Sequence, residues 1–98
     1  MLEVYPADWS HNMFVVLSYD VGKRRVRKVM KTCRRYLTHV HESVFQGKVT
    51  ERDLDNLKKD LAEAMDAHED SVRIYELESP RYLYTEDLGR CRDLSNII

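Results

Sequence analysis

One sheet covered by two helices, an α+β sandwich, is the architecture this chain's patterning predicts, and three observations predict it. A β-branched and aromatic run occupies residues 13–19. Two stretches with apolar residues at three- and four-residue spacing lie at 24–37 and 54–65. Apolar and polar residues alternate at 38–46 and again at 71–77, as half-buried strands require.

Each element can be argued in chain order. Residues 1–12 have weak periodicity and contain Pro6, Asp8, Trp9 and Ser10, so they read as an N-terminal extension. Met13, Phe14, Val15, Val16, Leu17, Ser18 and Tyr19 then give the strongest strand signal. The run lacks clean alternation, which burial of both sheet faces would explain. Asp20 ends it and Gly22 follows, which places Asp20 at a strand tip beside a loop. In 24–37, Val26, Val29, Met30, Cys33 and Leu37 share one helical side and basic residues take most of the rest. Val40, Glu42 and Val44 oppose His41, Ser43 and Phe45 in one bent strand or two short ones, with Gly47 at an expected bulge. Thr50 is placed to cap the next helix and Asp53 to favour its positive end. That helix should bury Leu54, Leu57, Leu61 and Met65, assisted by Ala62. The strand at 71–77 sets Val72 and Ile74 opposite Arg73 and Tyr75, and Ser79-Pro80 breaks it.

The order strand, helix, one or two strands, helix, strand is that of a ferredoxin-like βαββαβ sandwich. The chain divides into the extension at 1–12, this domain at 13–78 and a C-terminal segment at 79–98. In that segment Tyr82, Leu83, Tyr84, Leu88, Leu94, Ile97 and Ile98 need something to pack on. Helices on one face leave the other face bare, and a homodimer would cover it and receive the tail.

At 98 residues the chain has material for one core, and 43% hydrophobic with 34% charged residues suits a soluble domain. No apolar run is long enough for a membrane span and no signal-like start is seen, so a cytoplasmic protein is expected. Cys33 and Cys91 match neither a disulfide scaffold nor zinc-ligand spacing. No phosphate-binding or dinucleotide glycine motif occurs.

A formal net charge of −1 conceals a strong asymmetry. Lys23, Arg24, Arg25, Arg27, Lys28, Lys31, Arg34 and Arg35 form a basic run, and no acidic residue falls between Asp20 and Glu42. A charged solvated face is the ordinary reading of such a helix. The density of cations and the ability of arginine to fork onto phosphate favour nucleic-acid binding here. Asp20 is the sharpest chemical candidate, a hard carboxylate for Mg²⁺ or Mn²⁺, although a lone Asp is more often a turn cap. Ser18, Tyr19, Ser43 and Phe45 are candidates for the same strand end, the serines to orient phosphate and Phe45 with simple core as its alternative. His39 and His41 are candidate proton carriers or phosphate contacts, and Cys33 reads as packing.

Four fragments add a resemblance: Val16-Leu17-Ser18-Tyr19-Asp20-Val21, Cys33-Arg34-Arg35-Tyr36-Leu37, Ser43-Val44-Phe45-Gln46-Gly47 and Ser71-Val72-Arg73-Ile74-Tyr75. In order and spacing over 13–98, the chain resembles the small ferredoxin-like CRISPR-associated protein of spacer acquisition, a family that carries the name endoribonuclease. The resemblance implies a homodimer that bridges CRISPR integrase subunits and holds protospacer DNA, with an additional C-terminal strand exchanged onto the partner's sheet. It implies Asp20 as the catalytic residue, one Mg²⁺ held by Asp20 of both subunits, and Ser18, Tyr19, Arg25, Arg27 and Phe45 around the cleft. Metal-dependent hydrolysis of single-stranded RNA or double-stranded DNA is implied for some members and no catalysis for others. A non-catalytic DNA-binding adaptor is therefore the alternative, with a ferredoxin-like regulator or RNA-binding module more distant. The chain departs from the family at His41, where Gln is frequent, at Gln46, where Glu is frequent, and in its extension at 1–12.

Overall fold

The computed structural model describes residues 12–90. They form β1 (Asn12–Asp20), α1 (Lys23–Arg34), β2 (Thr38–His41), β3 (Val44–Thr50), α2 (Glu51–Ala64) and β4 (Ser71–Leu77), then one 3-10 turn at Pro80–Tyr82. The sheet order is β2-β3-β1-β4 with every neighbouring pair antiparallel, which is the ferredoxin-like arrangement. The expected extension at 1–12 lies outside the described residues except for Asn12, which already belongs to β1.

Alternation along the strands decides what the helices cover. Val15, Leu17 and Tyr19 of β1 are buried with Phe45 and Val49 of β3, beneath Val29 and Cys33 of α1, Leu37, and the α2 stripe Leu54, Leu57, Leu61 and Ala64. Phe14, Val16 and Ser18 point the other way and stay half-buried, so β1 alternates after all. Its apolar outward residues belong to the face that this chain leaves bare. The register sets Phe14 opposite Leu77, Val16 opposite Tyr75, Ser18 opposite Arg73 and Asp20 opposite Ser71.

The 38–50 region is two strands joined by a turn at Glu42 and Ser43. The irregularity expected at Gly47 sits instead in β2, where the register shifts between His39 and His41. Gly47 pairs regularly with Val15. Its missing side chain admits Leu37, whose Cδ2 would lie 3.3 Å from an added Cβ. Ala62 is exposed and Ala64 takes the buried place, because three residues beyond Leu61 continues the stripe and one residue does not. Thr50 caps α2 as expected, its hydroxyl accepting from the Asp53 amide at 3.0 Å. The two helices are joined at their ends through Asp60, which accepts from the Tyr36 hydroxyl at 2.8 Å and from Arg35 at 3.1 Å.

Past β4, Ser79 accepts from the Arg81 amide to close the 3-10 turn. Residues 83–90 form no strand in the single chain, and 91–98, with Cys91 and the last apolar residues, lie outside the described residues.

Candidate nucleic-acid interface

The basic run becomes a surface because α1 must bury its opposite side. With about 100° per residue, Lys23, Arg24, Arg27, Lys28, Lys31 and Arg34 fall within an arc of about 140°. All six are exposed, and none forms an ion pair with a described carboxylate. Arg35 follows the helix, and its pair with Asp60 leaves it partly committed to the α1–α2 junction.

Three other expected members of this surface, Arg25, Phe45 and Tyr19, behave differently. Arg25 lies about 60° outside the arc, turned toward the α2–β4 turn, where Nε reaches Asp70 Oδ2 at 2.5 Å and Nη2 reaches Oδ1 at 3.0 Å. Phe45 is wholly buried, stacked on His39 with ring centroids 4.4 Å apart. Its alternative as core is what the packing shows. Tyr19 also faces the helices, and its hydroxyl donates to the Glu42 carbonyl at 3.2 Å. Burial raises its phenol pKa above the usual value. Cys33 is buried in the same layer, its thiol pushed up to about 12 by desolvation, as fits packing rather than nucleophilic chemistry.

Asp20 is exposed at the end of β1, the strand tip the sequence expects, and the strand's alternation sets it on the bare face. Ser71 pairs with it from β4, and Ser43 sits on the β3 side, its carbonyl accepting from the Tyr19 amide at 3.1 Å. Ser18 and Arg73 face each other one pair further in. A cavity of about 310 Å³ opens here, lined by Ser18, Asp20, Ser71, Arg73 and Tyr75 among others. Sequence reasoning overlooked Ser71 and Arg73 as neighbours of Asp20. The alternation of β4 gives their face, but only the β1–β4 register brings them to this tip.

For a hard divalent cation the fit within one chain is poor. Such ions take six or more oxygen ligands with carboxylates leading, and the cavity beside Asp20 offers the Ser18 and Ser71 hydroxyls and the Arg73 guanidinium but no second carboxylate. Among the described residues no three His, Cys, Asp or Glu side chains gather into a metal-binding group. Gln46 lies on the bare face opposite Val16 and adds no charge.

Asp70 is the residue the sequence reading missed entirely. Its side chain has no solvent exposure, and besides Arg25 it accepts from the Gly22 amide at 2.9 Å and the Asp66 amide at 2.8 Å. The Arg25 guanidinium and these amides hold its carboxyl well below the usual carboxylate range. A folded-state pKa below the unfolded value of 3.8 means the pair stabilises fully above about pH 4 and loses its contribution as pH falls further. Thermal melts should therefore show the gap between wild type and Asp70→Asn narrowing below about pH 4. A gap that is constant from neutral to acid pH would contradict that linkage.

Comparison with known proteins agrees with this geometry. The family model for CRISPR associated protein Cas2 matches residues 13–84, and the chain belongs to that family. It is 40% identical over 87 residues to the CRISPR-associated endoribonuclease Cas2 of Methanosarcina acetivorans, covering 88% of this chain and 100% of the relative. Its likeness to the corresponding Thermotoga maritima protein is 38% over 77 residues, 79% of this chain and 88% of the relative. A crystal structure of a Cas2 superposes with TM-score 0.77 at 31% identity, covering 89% of this chain and 95% of that one. Streptococcus pyogenes Cas2, crystallised at pH 6.5, gives 0.69 at 33%, covering 79% and 100%. Among the described residues no helix is long and apolar enough to cross a membrane.

Proposed function

We propose that this chain is a DNA-binding adaptor of CRISPR spacer acquisition, a homodimer that bridges integrase subunits and holds protospacer DNA by its backbone. The observation that carries the reading is the cationic arc of α1. Six exposed cations lie along a 12-residue helix whose first turn contains no acidic residue. Over about 18 Å such a face can meet several phosphates at once, and phosphate contacts of this kind position a protein on DNA without carrying sequence information. The bare sheet face supports the homodimer: Phe14, Val16, Tyr75 and Leu77 give a second copy an apolar patch to cover. Tyr82, Tyr84 and Leu88 of the tail are likewise exposed in the single chain and have most to gain from a partner.

The adaptor is favoured over the hydrolase because one chain presents a lone carboxylate where hydrolysis through an ion needs a ligand set. Paired Asp20 residues sharing Mg²⁺ or Mn²⁺ would need a second subunit's carboxylate close by, and the nuclease named in the relatives remains a property of those relatives.

The test is insertion of a short duplex into a plasmid-borne CRISPR array by the cognate integrase. Insertion should require this chain, and Asp20→Ala should support it at about the wild-type rate. Insertion without the chain would overturn the adaptor reading. Loss of insertion with a folded, DNA-binding Asp20→Ala protein would return the hydrolytic reading to first place.

A further inference from the structure

We propose that Arg25 and Asp70 are a positioning pair that sets how the first turn of α1 and the tip of β1 are presented to DNA, and that Arg25 itself contacts no phosphate. The proposal rests on the duplex-binding reading and adds to it a division of labour within the basic run.

The first turn of α1 is built against its own electrostatics. Lys23, Arg24 and Arg25 stand at the positive end of the helix dipole, and Gly22 at the N-cap has no side chain to accept from the free amides. The missing anion comes from far along the chain. Asp70 Oδ1 accepts from the Gly22 amide, 48 residues away in sequence, and from Arg25 Nη2. Oδ2 accepts from Arg25 Nε and from the Asp66 amide. Both carboxylate oxygens are thus used twice, and Glu69 adds a weaker contact to Arg25 at 3.3 Å.

The pair also ties together the two chain segments that frame Asp20. Gly22 follows Asp20 by two residues, and Asp70 directly precedes Ser71, the β4 partner of Asp20. One carboxylate therefore fixes the β1–α1 loop, the α2–β4 turn and the entry angle of α1. Gly22 keeps clearance for it, since an added Cβ would lie 3.1 Å from Arg25 Nη2 and 3.7 Å from Asp70 Oδ1. For Arg25 to grip phosphate it would have to leave a side chain with no exposure, abandoning that carboxylate without its main counter-charge.

Charge alone and positioning give opposite signs for one variant. Asp70→Asn removes a negative group and frees an arginine beside a phosphate-binding face, so charge alone predicts tighter binding. Positioning predicts weaker binding. The experiment measures affinity for a fluorescent DNA duplex by anisotropy across a salt series, with folding checked by circular dichroism. Arg25→Ala and Asp70→Asn are each expected to weaken binding several-fold, with the double variant no worse than the weaker single. The slope of log affinity against log salt should be unchanged in both, whereas Arg27→Ala should make it shallower by about 0.9. Arg25→Lys keeps the charge and the fold but loses the fork, and it should bind as weakly as Arg25→Ala.

Tighter binding by Asp70→Asn, rescue by Arg25→Lys, or a slope shallower by about 0.9 in Arg25→Ala would overturn the pair. If neither single variant folds, Arg25→Lys decides: it must weaken binding at unchanged slope, and wild-type affinity in it overturns the proposal. A wild-type chain that shows no salt-dependent binding overturns the duplex reading itself, a result separate from these.

Discussion

With Lys23, Arg24, Arg27 and Lys28 all replaced by alanine, affinity for a DNA duplex at about 0.15 M salt is expected to fall on the order of 10²–10³-fold. The estimate follows from counterion release: each phosphate neutralised contributes about 0.9 to the salt slope, so four lost cations remove about 3.6 for each protomer in contact. The fold should survive the substitution. All four side chains are exposed, none is ion-paired to a described carboxylate, and alanine is the best helix former. Removing two cations from the first turn also relieves their repulsion by the helix dipole. Loss of binding with retained or raised thermal stability is thus the signature of this surface. Unchanged affinity would show that DNA, if bound at all, is bound elsewhere.

Phe45→Ala is expected to give the largest loss of stability, about 3–5 kcal/mol. Phe45 is fully buried, pairs with Leu17, stacks on His39 and meets the Tyr19 ring with centroids 6.1 Å apart. Truncation leaves a cavity at the point where β1, β2 and β3 meet. A domain of this size has roughly 5–15 kcal/mol in total, so the variant keeps little margin. Urea unfolding measures the effect directly, as a lower midpoint at unchanged slope. The alternative role for Phe45, a nucleic-acid contact, predicts the reverse pattern of weakened binding with intact stability. A midpoint within experimental error of wild type would refute the core assignment.

The fold was legible because its signals are local and repeated. The run at 13–19, the two apolar stripes and the Thr50 cap each state their own structure, and their order leaves few topologies. What was not legible depended on long-range register. Asp20 could be placed at a strand tip from its own neighbours, yet its surroundings come from Ser71 and Arg73, which the β1–β4 pairing delivers. Arg25 looked equivalent to Arg24 and Arg27 because the sequence shows only cations on a helix. The difference lies in a carboxylate at position 70, in a polar turn that carried no motif. Tyr19 and Phe45 were grouped with Asp20 by adjacency and resemblance, although the strand period of two sends Tyr19 to the opposite face.

The central claim, that α1 holds duplex DNA by its backbone, is tested most directly by one titration. Affinity of the wild-type chain is measured across a salt series for two duplexes of equal length and unrelated sequence. The account predicts the same slope for both, about −3.6 or steeper, with similar affinities throughout. A flat salt dependence, or strong preference for one of the two sequences, would contradict it.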